Sequence, residues 1–146
     1  MNLQATYFDT SVLAKTYVRE DGSATAIRMI RERQVITSSI TGVELVSAFR
    51  RSLNSRSIDQ KAHSAILKRF QQHREKWRYI EVTPGVLEYA EKYVSDFDLR
   101  TFDAIHIASA MISGMRFPKG LPFITADLRQ REAAERLDLT VVWVED

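Results

Sequence analysis

Apolar residues along the chain fall into two kinds of stretch that alternate from end to end. ATYFD (5–9), QVITSS (34–39), RYIEV (78–82), LPFIT (121–125) and TVVWV (140–144) are short runs rich in aromatic and β-branched residues. They are apolar at successive rather than alternate positions, as strands buried on both faces are. Between them the apolar residues recur at helical spacing: TSVLAKTYVRE (10–20), a segment opened by Ser23 as N-cap, TGVELVSAFRRSLN (41–54), and a long basic helix from a Ser57/Gln60 capping box to about Lys76. Further helices are predicted from Pro84, from Thr101 to about Ser113, and over DLRQREAAERL (127–137), with GMRFPKG (114–120) as a loop. Strands alternating with helices predict an α/β fold, a parallel sheet with helices on both faces. There is no repeat, linker or low-complexity tract, so residues 1–146 are expected to form one domain.

Composition removes several kinds of chemistry. The chain has no Cys, which excludes disulfides, thiolate nucleophiles and Cys-based zinc sites. No apolar run reaches the ~20 residues of a membrane span, and MNLQATYFDTS does not read as a signal peptide, so the expected compartment is the cytoplasm. The net charge of +2 hides an asymmetry. Arg50, Arg51, Arg56, Lys61, Lys68, Arg69, Arg74, Lys76 and Arg78 face only Asp59 and Glu75, which makes this segment +7 and the remainder −5. Such a segment attracts a polyanion, or is the solvated face of an amphipathic helix.

Four acids are placed by this pattern near one sheet edge. Asp9 ends the first strand and Asp127 follows the fourth; Glu44 and Asp103 lie in first turns of helices. In open parallel sheets ligands bind beyond the carboxyl ends of the strands. Each acid also has a structural explanation. Glu44 completes a capping box with Thr41, Asp127 is a natural N-cap, and Asp103 complements a helix dipole. Asp9, between Phe8 and Val12-Leu13, is the hardest to place in solvent. None of these roles explains why all four fall on one edge. Two carboxylates about 4 Å apart repel by roughly 4 kcal/mol at an effective dielectric of ~20, so protons or a cation must sit among them. An all-oxygen donor set selects Mg²⁺ or Mn²⁺.

YFDTSVLAK, SSITGVELVSAF, LRTFDAIHIASA and PFITADLRQREAAERLDLTVV resemble, in order and spacing, the acidic motifs of PIN-domain ribonucleases, most closely VapC-type toxins of prokaryotic toxin–antitoxin pairs. The resemblance implies a three-layer α/β/α sandwich around a five-stranded parallel sheet. It implies Asp9, Glu44, Asp103 and Asp127 as catalytic and metal-binding acids, with Ser11 as the small hydroxyl residue that orients a carboxylate or water. It also implies a Mg²⁺- or Mn²⁺-dependent endoribonuclease with RNA as substrate, a cognate antitoxin protein as partner, and a homodimer. An inert PIN-like domain that binds RNA or protein is the alternative. An Asp-based phosphotransfer protein fits less well. A haloacid-dehalogenase-type phosphatase wants a second Asp where Ser11 stands, and a receiver domain wants paired acids and a late Lys.

Weaker candidates have structural readings as well, and for His106 the structural reading is the stronger, since a single His at that spacing is a poor ligand signal. His106 could touch a metal or be hydrogen-bonded within its helix; Thr125 could support Asp127 or simply suit a strand. Lys15, Arg19 and Arg50 could approach a phosphate or pair with acids. Trp77, Tyr79 and Trp143 suit core or interface better than base stacking. Val12, Leu13, Tyr17, Val18, Ile27, Met29 and Ile30 offer a partner groove or a core in equal measure.

Overall fold

Strand β1 (Gln4–Phe8) carries Tyr7 and Phe8, neither of which retains any solvent exposure. Neighbouring residues of a strand point to opposite faces, so these two side chains enter two different cores and the strand must be covered on both sides. The computed structural model, which describes residues 2–145, places β1 at the centre of a parallel sheet of order β3-β2-β1-β4-β5. The other strands are β2 (Arg33–Ser38), β3 (Arg78–Ile80), β4 (Phe123–Thr125) and β5 (Val141–Trp143). Tyr7 pairs in register with Ile36 on one side and Phe123 on the other, and its ring stacks on Phe123 at 5.6 Å.

Seven helices form the outer layers: α1 (Thr10–Lys15), α2 (Ser23–Glu32), α3 (Thr41–Asn54), α4 (Gln60–His73), α5 (Pro84–Asp96), α6 (Thr101–Gly114) and α7 (Leu128–Arg136). Helices α1 to α4 pack on the Phe8 side around Leu13, Leu45, Phe49, Phe70 and Ile124. Helices α5 to α7 pack on the Tyr7 side around Val86, Tyr93, Ile107, Phe123 and Ala133. Each fully buried Leu, Ile or Phe contributes about 1.5–3 kcal/mol, so both faces of the sheet are strongly held. This is the three-layer α/β/α arrangement expected from the sequence. Helix α6 is unusual in that every residue from Ala104 to Ala110 is buried. A helix apolar all round belongs inside, and its rigid N-terminal turn carries Asp103.

Several helix ends differ from the sequence reading. Helix α1 stops at Lys15 rather than reaching residue 20, where the Thr16 hydroxyl donates to Leu13 O at 2.7 Å. The N-cap of α2 is Gly22, at φ 85°, and Ser23 lies inside the helix with its hydroxyl accepting from Glu20 N. Asp59, not Ser57, caps α4, by accepting from Ala62 N at 2.8 Å. A short polar side chain near a helix start can cap from more than one position, and sequence spacing alone does not choose.

The strand order reverses between β1 and β4. The chain leaves β1 toward β2 and β3, then returns to the other side of β1 for β4 and β5. The crevice at such a reversal, beyond the carboxyl ends of the strands, is where this class of sheet binds ligands. Among the described residues no helix is long and apolar enough to cross a membrane.

Candidate active site

A cleft of about 650 Å³ opens at this crevice, lined by Asp9, Ser11, Glu44, Asp103 and Asp127 together with Thr10, Arg51, Arg100, His106 and Gln130. All four acids and Ser11 therefore reach one place, from the start of α1, from α3 and α6, and from the N-cap of α7.

Asp9 lies one residue beyond β1, where it caps α1 by accepting from Ser11 N, and it is fully buried. Its second oxygen accepts from the Thr125 hydroxyl. Burial pushes the Asp9 carboxyl above its usual value, against the lowering influence of His106, Ser11 and Thr125. The Thr125 hydroxyl oxygen also accepts from Asp127 N at 3.0 Å. Ser11 completes the tie, its hydroxyl accepting from Ala126 N at 3.1 Å. Thr125 and Ser11 thus lock the turn after β4 to the turn after β1. Asp127 takes the N-cap position expected for it, accepting from Gln130 N at 3.0 Å.

Glu44 is not part of a capping box. The N-cap of α3 is Ile40, which makes no side-chain bond, and Thr41 is buried against Thr37 at 2.7 Å. Glu44 Oε1 instead accepts from the Thr10 hydroxyl at 2.7 Å and meets His106 Nε2 at 2.6 Å. The other nitrogen of His106, Nδ1, lies 2.8 Å from the Tyr7 hydroxyl. Burial pushes the Glu44 carboxyl up, but His106, Thr10 and the Arg51 guanidinium outweigh it, and the carboxyl sits below its usual value. Glu44 is held ionised.

Asp103 answers to different neighbours. Its Oδ1 accepts from Gln130 Nε2 at 3.1 Å, and Arg100 Nε stands 3.7 Å from Oδ2. That ion-pair distance is too long for a hydrogen bond, and Oδ2 is buried without a donor among the described residues. Burial, then repulsion from Asp127, raises the Asp103 carboxyl above its usual value, against Arg100, His106 and Gln130. A buried acceptor without a donor costs about 1–3 kcal/mol, and more when charged. A cation would remove that cost. The donor set is carboxylate oxygen with hydroxyls beside it, which fits a hard divalent ion. Among the described residues no three His, Asp or Glu side chains stand grouped closely enough, as they are placed, to hold a metal ion together. Asp9, Glu44 and Asp127 are each engaged by protein donors instead.

The basic segment is distributed differently from the sequence expectation. Of its nine cations only Arg51 lines the acidic cleft. Arg69 and Lys76 line a separate cavity of about 720 Å³, with Arg31, Arg33, Ile27 and Ile30. Arg74 lies 4.7 Å over the Phe70 ring, and its guanidinium sits so close to Gly42 that a Cβ there would meet Nη2 at 2.7 Å. Lys15 is drawn to Asp21 O at 2.8 Å and Glu20 at 3.5 Å. Trp77 packs in the core, Trp143 lies beneath Arg131, and Tyr79 is exposed with its hydroxyl donating to Arg74 O.

Sequence reasoning missed Tyr7, Thr10, Gln130 and Arg100. Tyr7 and Thr10 flank Phe8-Asp9 and had a signal, since residues around a strand-end acid share its crevice. Gln130 had none beyond its place in the first turn of α7.

A model of the PIN domain matches residues 6–136. Two ribonucleases of Mycobacterium tuberculosis are similar over nearly their whole length. VapC46 is 30% identical over 141 residues, covering 96% of this chain and 98% of the relative. VapC35 is 32% identical over 139 residues, covering 93% and 94%. Among solved structures, FitAcB of Neisseria gonorrhoeae superposes with a TM-score of 0.69 at 18% identity, covering 93% of this chain and 95% of that one. DNA-bound VapBC of Salmonella typhimurium superposes with a TM-score of 0.63 at 17% identity, covering 97% and 98%. These likenesses to solved structures show the fold. The chain belongs to the PIN-domain family.

Proposed function

We propose that this PIN-domain chain is a Mg²⁺- or Mn²⁺-dependent endoribonuclease, the toxin of a type II toxin–antitoxin pair. The observation that carries the reading is the buried, donorless oxygen of Asp103 in a cleft that also holds Asp9, Glu44 and Asp127. The two ribonuclease relatives, matched end to end, support the substrate class.

Asp9, Glu44, Asp103 and Asp127 would hold the ion. When bound, it supplies counter-charge for the acids and Lewis-acid activation of water for in-line attack on a phosphodiester. The chain's own residues do the rest. Thr125 and Ser11 fix the relative placement of Asp9 and Asp127. Arg51 and Arg100, on the cleft walls, offer guanidiniums to the RNA phosphates that must approach an acidic site. The expected products carry 5′-phosphate and 3′-hydroxyl ends.

Cleavage of defined RNAs with and without Mg²⁺ tests the reading. Asp9→Asn and Asp103→Asn should abolish cleavage while the fold persists. Cleavage at the parental rate by either variant under limiting Mg²⁺ would overturn the assignment. One observation favours the inert alternative: Asp9 and Asp127 serve as helix caps and one oxygen of Glu44, Oε1, is held by protein donors. An inert domain shows no Mn²⁺ binding that Asp103→Asn weakens.

The named relatives and the VapBC complexes also support an antitoxin partner. Val12, Leu13 and Tyr17 are core residues, whereas Ile27 and Ile30 line the cavity rimmed by Arg31, Arg33, Arg69 and Lys76. Those are the residues offered to a partner, and retention of the neighbouring gene's product on co-purification tests this. A homodimer is proposed through exposed apolar residues such as Val43 and Val46 of α3; light scattering decides it.

A further inference from the structure

We propose that the buried Tyr7–His106 pair is a positioning device for Glu44, holding one carboxylate oxygen so that the other is presented to the cleft for a divalent cation. The proposal rests on the nuclease reading, since it concerns what Glu44 is held ready to bind.

An ionised carboxylate only accepts hydrogen bonds, so His106 Nε2, 2.6 Å from Glu44 Oε1, must carry a proton. In the neutral ring Nδ1 is then an acceptor, and the Tyr7 hydroxyl 2.8 Å away is its donor. Tyr7 is suited to that role because its hydroxyl, on a fully buried ring, stands within hydrogen-bond distance of Nδ1 and can donate to it. A partner at one ring nitrogen selects the tautomer at the other.

The pair is also rigidly mounted. Tyr7 is fully buried in the central strand with its ring stacked on Phe123. His106 is 1% exposed on the buried helix α6, its ring edge-on to Tyr7 at 5.9 Å. Thr10 adds a second donor to the same oxygen at 2.7 Å. Glu44 Oε1 is therefore gripped from the β1–α1 turn and from α6, while no hydrogen bond or ion pair among the described residues reaches Oε2. A histidine present only to fill space would not have both ring nitrogens in bonds, one of them leading to a cleft carboxylate. His106 is a positioning residue, not a ligand.

The test uses the full chain and Mn²⁺ as the probe. A long-range ¹H–¹⁵N spectrum of the wild type should show His106 protonated at Nε2; an unprotonated Nε2 overturns the proposal before any variant is made. His106→Leu should weaken Mn²⁺ affinity by calorimetry about tenfold and lower kcat on RNA at least tenfold at saturating Mn²⁺, with KM changed less than about twofold. His106→Gln, which can still donate to Glu44, should restore most of both. Equal loss in the Gln and Leu variants, or unchanged Mn²⁺ affinity in His106→Leu, refutes positioning. If His106→Leu does not fold, Tyr7→Phe removes one hydroxyl from the same chain of bonds. It should weaken Mn²⁺ affinity about threefold, and no change counts against the proposal. Asp103→Asn is the separate control. If it binds Mn²⁺ and cleaves normally, the assignment of the acids has failed; wild-type chain that neither binds Mn²⁺ nor cleaves RNA is the failure of the nuclease reading itself, and both are read independently of the His106 result.

Discussion

Thr125→Val isolates what holds Asp9 and Asp127 together. Valine keeps the β-branched shape of a fully buried strand residue and removes only the hydroxyl. Two hydrogen bonds go with it: the donation to the buried Asp9 carboxylate, and the acceptance from Asp127 N at 3.0 Å. A bond to a charged group contributes about 1.5–3 kcal/mol and a neutral one about 0.5–1.5 kcal/mol. The added methyl returns up to about 0.8 kcal/mol. The expected loss near pH 7.5 is thus about 1–4 kcal/mol, a fall in Tm of about 2–16 °C for a chain of this length. Because the larger part depends on Asp9 being ionised, the gap between wild type and variant should narrow as pH falls and Asp9 takes up its proton. Thr37→Val is the control. Its buried hydroxyl serves only neutral partners, Phe8 O and Thr41, and its cost should not vary with pH. Urea unfolding of metal-free protein at pH 7.5 and 4.5 reads both. A Thr125→Val cost below about 0.5 kcal/mol, or one equal at the two pH values, refutes the claim that this hydroxyl holds an ionised Asp9.

The carboxyls of Asp9 and Asp103 are raised in the fold, so the stability they lend is complete below the unfolded value of ~3.9 and is lost as pH rises through their folded values; Glu44, lowered, acts in the opposite sense. The metal-free Tm should therefore rise on acidification from pH 7 toward 5 and fall again once Glu44 protonates; a Tm that falls steadily from pH 7 contradicts this. In an Asp9→Asn background, Arg51→Ala should reduce the salt slope of RNA binding by roughly 0.7–1, while Arg50→Ala, outside the cleft, should leave it unchanged. Gly22→Ala should cost about 2 kcal/mol and lower Tm by about 4–8 °C, because φ is 85° and the new Cβ would meet Glu145 O at 2.7 Å. Differential scanning calorimetry measures that loss, and an unchanged Tm would mean that the turn relaxes freely.

The periodicity of the chain by itself determined the α/β class, the count of five strands and the placement of four acids on one sheet edge. Each follows from local chemistry: continuous apolar runs must be buried on both faces, and a parallel sheet then puts all strand ends of one kind at one edge. What each acid touches was not legible. Thr41 and Glu44 have the spacing of a capping box, yet Thr41 is recruited by Thr37, across a buried turn, and Glu44 by His106, 62 residues away. Asp103 is met by Gln130, 27 residues on, and Tyr7 by His106 across 99. The basic segment reads as one surface in sequence, but its helices carry Arg51 to the acidic cleft and Arg69 and Lys76 to another cavity. Local patterning decides which residues are inside and which elements they form. Which buried polar groups become partners depends on the packing of helices distant in sequence, and only the tertiary structure decides that.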